Sequence, residues 1–141
     1  MQREVKHTWF FNQSLQEVWE YLTKPELLEQ WLMKSNFEPV AGRKFQFINK
    51  DKIDAYCQVL EVIPPSLLSY SWRKGISENE ITVDSVVTWT LIDKNGGTEL
   101  KLVHNGFQLL DDAIKHEKGW DYCMNRMMEL INTSTNAHTN A

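Results

Sequence analysis

The sequence predicts a single α+β domain in which a curved antiparallel sheet is covered by one long C-terminal helix. Runs of alternating apolar and polar residues fill the middle of the chain, and turn residues rather than helices separate them. An early helix-capping signature stands between the first such run and the rest. Near the C-terminus Trp120, Cys123, Met124, Met127, Met128 and Ile131 recur at helical spacing, opposite Asp121, Asn125, Arg126 and Glu129. Strands in succession, followed by a helix with one apolar stripe, bury both apolar surfaces by laying the helix across the sheet.

Residues 4–10, rich in Val, Thr and aromatics, read as the first strand. Ser14 and Glu17 then form an S-x-x-E capping box, in which each side chain takes a backbone N–H that the first helical turn leaves unpaired. The helix that starts there presents Leu15, Val18, Trp19 and Leu22 on one side and stops near Thr23. Residues 23–26 repeat the cap signal, with Pro25 in the first turn of a second short helix whose apolar side is Leu27, Leu28 and Trp31.

From residue 37 the pattern has period two. Residues 44–48 are a strand, 49–54 a polar turn, and 55–63 the next strand, closed by Pro64-Pro65 because proline cannot donate to a sheet ladder. In the strand 67–74, Leu68, Tyr70 and Trp72 share one face while Ser69, Ser71 and Arg73 share the other. A loop at 75–80 leads to the strand 81–92, where Val83, Val87, Trp89 and Leu91 alternate with Asp84, Thr88 and Thr90. Asn95-Gly96-Gly97 supplies a tight hairpin turn, and the strand 98–104 returns with Thr98, Leu100, Leu102 and His104 on one face. Asp111-Asp112 suit the positive end of the last helix. Gly119 in that helix costs about 1 kcal/mol relative to Ala, which points to close backbone packing there. The segment after Asn132 is too polar to bury, so the expected division is a domain at 1–134 and a polar tail at 135–141.

Composition narrows the function. Six Trp, six Phe and four Tyr in 141 residues are enough to fill a core or to line a cavity. A formal net charge of -4 offers nucleic acid no general attraction, so no nucleic-acid partner is expected. Neither a signal peptide nor an apolar run of about 18 residues occurs, so a cytoplasmic protein without a membrane span is expected. Cys57 and Cys123 lack zinc or redox spacing and read as reduced thiols. The glycosylation patterns at Asn12 and Asn132 have no meaning without secretion.

Catalytic chemistry is not visible. His7, His104, His116 and His138 lie on separate elements, with neither H-x-x-x-H nor C-x-x-C, so no metal and no cofactor are expected. G-x-S-x-G and a phosphate-cradling glycine loop are also missing. His104 stands out because it extends an apolar row: it either orients a ligand and exchanges a proton, or is a satisfied structural histidine. Glu61 lies on a strand with apolar residues on both parities, which leaves its direction open.

Four stretches carry a family resemblance: VWEYLTKPELLEQW from Val18, VLEVIPPSLLSYSW from Val59, VVTWTLIDKNGGTELKLVHNGF from Val86, and HEKGWDYCMNRMMELI from His116. In order and spacing they resemble the activator-of-heat-shock-protein-90-ATPase-like proteins of the START-like (SRPBCC) superfamily. The resemblance implies the helix-grip fold, a setting in the stress response, and a cavity between sheet and helix. Lining it would be Trp31, Phe45, Phe47, Tyr70, Trp72, Trp89, Leu102, His104, Trp120, Met124 and Met128. The implied partner is a small hydrophobic molecule, gated by the loop 75–80 and the helix at 27–31, with a homodimer left open. Periodicity does not separate a hollow interior from a packed one. A small cyclase or hydrolase using His104, and a ligand-free module for a chaperone or regulator, stand as alternatives. The chain departs from the family at Ala41-Gly42, where two glycines are usual, and at Cys57, where glycine is usual. The separate chaperone-binding domain of the eukaryotic activators has no counterpart within 141 residues, so chaperone activation does not follow from the resemblance.

Overall fold

The computed structural model describes residues 3–139, with side chains up to residue 133. The elements follow in the order β1 (Val5–Phe11), α1 (Leu15–Thr23), α2 (Pro25–Trp31), β2 (Lys34–Ser35), β3 (Lys44–Asn49), β4 (Lys52–Ile63), β5 (Leu67–Ser77), β6 (Glu80–Lys94), β7 (Gly97–Asn105) and α3 (Leu110–Thr139). The seven strands form one curled antiparallel sheet in the order β1-β7-β6-β5-β4-β3-β2. This is the expected helix-grip architecture, with two short helices after the first strand and α3 against the concave face. The polar tail expected at 135–141 lies beyond the described side chains.

Local chemistry explains most boundaries. Ser14 caps α1, its Oγ accepting from the Glu17 N–H at 3.2 Å. The second cap signal misleads: Thr23 stays in α1, where its hydroxyl donates to the Trp19 carbonyl at 2.9 Å, and α2 starts after Lys24 with no side-chain cap. The polar segment 49–54 is mostly strand. Lys50 and Asp51 both take positive φ, which makes a two-residue hairpin turn, and β4 begins at once. The loop expected at 75–80 is likewise strand up to Ser77 and again from Glu80. The two-residue β2 pairs with β3 and was too short to show a pattern.

The sheet's inward rows are set by register. Leu68 faces Trp89, which faces Leu102, and in the next row Tyr70 faces Val87, which faces His104. From α3, Trp120, Met124, Met127 and Ile131 are buried against these rows, while Cys123 and Met128 are half-buried at the flanks of the stripe. Each large apolar side chain so buried contributes about 1.5–3 kcal/mol.

Two bulges re-aim β4. The β3–β4 register slips between Phe47 and Ile48, leaving Asp54 as an extra residue between Ala55 and Ile53. A second slip between Val59 and Glu61 turns Leu60 out, which accounts for apolar residues on both parities and puts Glu61 on the exposed surface.

Candidate functional site

A cavity of about 430 Å³ opens between the first turns of α3, the β5–β6 hairpin, and the two residues that follow α2. That volume lies within the usual range of small-molecule sites. The helix contributes Asp112, Lys115, His116, Gly119, Trp120 and Cys123, which recur at helical spacing on one face. From the sheet come Trp72, Lys74 and Gly75 of β5, Thr82 and Val83 of β6, and Asp54, turned there by its bulge. Leu32 and Met33 complete the wall, so the segment after α2, rather than α2 itself, borders the opening.

Two glycines keep this end hollow for different reasons. At Gly75, a Cβ would collide with the Glu80 carbonyl, so only glycine allows the hairpin strands to approach at the bulge. Gly119 is the reverse of the close packing expected for it: a Cβ there meets no atom within 4 Å, because it would project into open space at the cavity wall.

The formal charges in the wall cancel. Asp54 and Asp112 stand against Lys74 and Lys115, and Lys74 Nζ lies 3.3 Å from Asp54 Oδ2. The uncharged polar groups are more telling. Trp72 is 3 % exposed, and its Nε1–H has no hydrogen-bond partner among the described residues. Leaving such a donor dry costs about 1–3 kcal/mol.

His104 and His116, with ring centroids 5.2 Å apart, have opposite roles. Trp120 Nε1 donates to His104 Nδ1 at 2.9 Å, and because an indole only donates, the proton of the neutral imidazole must sit on Nε2. Nε2 then donates to Ser85 Oγ at 2.7 Å, and Ser85 passes its own proton to the Trp72 carbonyl at 2.8 Å. Both ring nitrogens are occupied. Protonating Nδ1 would set N–H against N–H, and burial, with His116 and Lys74 nearby, pushes the imidazole pKa down to about 2. His104 is a fully satisfied buried histidine without a basic site to offer. His116 instead donates from Nδ1 to the Asp112 carbonyl at 2.7 Å, one helical turn back. Its Nε2 has no hydrogen-bond partner among the described residues, and burial holds its pKa below the usual histidine value.

Of the eleven residues named as lining, Trp72 and Trp120 border this cavity, and His104 stands directly behind Trp120. Phe45 packs edge-on against Phe47 and Tyr70, Phe47 and Tyr70 meet tilted, with ring centroids 5.3–6.1 Å apart, and Phe47 reaches Trp72 at 5.2 Å. Trp31 and Trp89 meet edge to face at 6.3 Å, with Leu102 and Met124 buried in the same core and Met128 at its margin.

Sequence reasoning did not pick out His116, Asp54, Gly119 or Ser85 for the site. Continuing the helical stripe back by four from Trp120 reaches His116 and then Asp112, and Ser85 has the inward parity of Val83 and Val87. Asp54 had no such signal, because a bulge is invisible to periodicity. Both cysteines are free, and burial raises the thiol pKa of each. Among the described residues no cluster of three His, Cys, Asp or Glu is placed to hold a metal ion. No described helix is long and apolar enough to cross a membrane.

Comparison with known structures supports this architecture. The chain is similar to a Mesorhizobium loti protein at 28 % identity and TM-score 0.84, over 92 % of this chain and 97 % of that one. A Bacillus halodurans protein shares the fold at 22 % identity and TM-score 0.75, over 91 % and 96 % of the two chains. So does Aha1 of Colwellia psychrerythraea, a dimer in solution, at 15 % identity and TM-score 0.76, over 91 % and 95 %. No curated protein matches the sequence. Residues 12–132 match the family model described as Activator of Hsp90 ATPase homolog 1-like protein, and on that match the chain belongs to this family.

Proposed function

We propose that this protein binds a small, mostly apolar molecule in the cavity between α3 and the β5–β6 hairpin. The observation that carries this reading is an open cavity of about 430 Å³ walled by Trp72 and Trp120. A fully packed core leaves no such space. Apolar burial drives binding at about 25 cal/mol per Å² removed from water, and the polar groups of the wall set orientation. Trp72 and Trp120 touch the ligand, while the aromatic rows behind them hold those two in place. The reading includes a cytoplasmic setting, to which two unpaired thiols are suited, and a homodimer like that of the Colwellia protein is a matter for the same preparation.

An enzyme using His104 as general base is the weaker reading, since Trp120 occupies the lone pair such a base needs. Native mass spectrometry of the purified protein, followed by organic extraction and tryptophan fluorescence titrations, tests the proposal. A co-purifying apolar molecule, or saturable quenching by lipid, aromatic or polyketide-like compounds, is expected. A clean apo mass with no fluorescence response to any of them would sink it and favour an interaction module.

A further inference from the structure

We infer that the cavity acts on its guest as well as holding it: His116 is placed as a general base that takes an acidic C–H proton from a neutral, mostly apolar carbonyl compound. The inference goes beyond binding, and it rests on the cavity being a ligand site.

The position of the ring comes first. His116 borders the cavity from α3, one helical turn before Trp120. Trp72, His104 and Phe107 hold its ring, with centroids 6.3, 5.2 and 4.8 Å away. Its Nδ1 meets the Asp112 carbonyl at 2.7 Å, and because a carbonyl only accepts, the proton of the neutral imidazole sits there and the lone pair is left on Nε2. Trp72 Nε1 is sealed from solvent. His116 Nε2, also unpartnered among the described residues, is not one of the sealed atoms, so its lone pair stays open. An imidazole oriented through one nitrogen, with the other open at a cavity wall, is what general-base chemistry needs.

The surroundings keep His116 in its basic form. Burial and the Lys74 ammonium lower its pKa, and the opposing pull of Asp112 and Asp54 is smaller, so the imidazole is neutral at pH 7. The other titratable groups around it are less available. Lys74 and Asp54 are paired at 3.3 Å, the Cys123 thiol keeps its proton because burial raises its pKa, and both nitrogens of His104 are occupied. Lys115 is the remaining charge on the wall. A neutral imidazole is a weak base and moves only a proton already acidified by a neighbouring carbonyl or electron-poor ring. That sets the substrate class as carbon acids, and the reaction class as isomerisation or elimination begun by loss of that proton.

The probe is nitrobenzisoxazole, a small neutral aromatic carbon acid. Nε2 takes its isoxazole C–H proton, the C–H electron pair becomes the third bond of a nitrile, and the N–O bond breaks with its pair leaving on a coloured phenolate oxygen. The imidazolium then returns its proton to water. At pH 7 the protein should convert the probe about a hundredfold faster than the same concentration of imidazole, the low end of what a positioned base supplies. After subtraction of the uncatalysed rate, turnover should be level above pH 7 and fall only below 6.5, the ordinary histidine value. His116→Gln keeps a donor for the Asp112 carbonyl but has no basic nitrogen. It should lose the rate advantage while naphthalene affinity, read by tryptophan quenching, changes by no more than about threefold. Gly119→Leu, which fills the cavity and leaves His116 unaltered, should lose both. Saturable binding of the probe without a rate above free imidazole, or an undiminished rate in either variant, would overturn this inference and leave the ligand cavity standing. Absence of binding by both the probe and naphthalene would overturn both.

Discussion

At the end of the interior closed by α2, Trp31, Phe37, Phe45, Tyr70 and Trp89 interlock edge to face, and their polar atoms are paired. Trp31 Nε1 donates to the Tyr21 carbonyl at 2.8 Å and Trp89 Nε1 to Tyr70 Oη at 3.0 Å. At the other end, under the first turns of α3, the residue types are the same but the result differs: Trp72 and Trp120 border a cavity, and the Trp72 indole donates to nothing among the described residues. The sheet and the helix are common to both ends. What differs is the facing layer, which at the hollow end includes the small residues Gly75, Gly119, Thr82 and the half-buried Cys123. Aromatic content therefore says little about whether an interior is full, and the size of the residues opposite decides it.

The strongest contrast should appear on truncation. At the packed end Trp89→Ala removes a fully buried indole, and urea unfolding should show a loss of about 3–5 kcal/mol. A loss below about 1 kcal/mol, the scale of a surface change, would mean that this end too is loosely filled.

Acid should expose the second difference, that between the two histidines. In the unfolded chain His104 titrates near 6.5, whereas in the folded protein it stays neutral down to about 2. Between those values the unfolded chain binds the extra proton. Stability is therefore complete above about pH 6.5 and falls on acidification by as much as about 1.4 kcal/mol per pH unit from this group, with His116 adding in the same direction. Unfolding midpoints measured against pH should fall less steeply for His104→Gln than for the unaltered protein. Parallel curves would show that His104 accepts a proton while folded.

Removing one N–H at each end sharpens the comparison further. Trp89→Phe leaves Tyr70 Oη without its donor, whereas Trp72→Phe removes a donor with no partner among the described residues. Chemical denaturation should find Trp89→Phe the more costly by about 1–3 kcal/mol, and equal losses would mean that Trp72 Nε1 has a partner in solution. The smallest stability effect belongs to Gly119. Since its Cβ meets nothing, Gly119→Ala should stabilise the protein by about 1 kcal/mol through helix propensity alone. Gly119→Leu should be about as stable yet lose ligand response, because the side chain enters the cavity. Retained binding in that variant would place the ligand elsewhere.

The fold was legible because local signals agreed with one another: Ser14 and Glu17 set the first helix, Asn95-Gly96 the last hairpin, and period-two runs all the central strands. Errors fell where conformation overrode composition. Residues 49–54 read as a turn because they are polar, yet a hairpin bend took only Lys50 and Asp51, leaving Asn49 in β3 and residues 52–54 in β4. The site was less legible. His104 drew attention because it extends a leucine row, which is also why it is buried and satisfied. His116 was passed over because Lys115, Glu117 and Lys118 surround it, although its helical position puts it on the face of Trp120. Whether an inward tryptophan packs or lines depends on residues distant in the chain, and no window of sequence holds both.

The relay from Trp120 through His104 and Ser85 to the Trp72 carbonyl also fixes how the cavity meets a guest. Trp120 already holds one rotamer before anything arrives, because its indole is tied through β7 and β6 to the backbone of β5. Ordering a free side chain of that size at a binding surface costs about 0.5–1.5 kcal/mol, a cost that falls here on the folding of the protein and not on the guest. Capture then needs no rearrangement of this wall, and affinity should track the shape of the molecule offered more than its ability to induce fit.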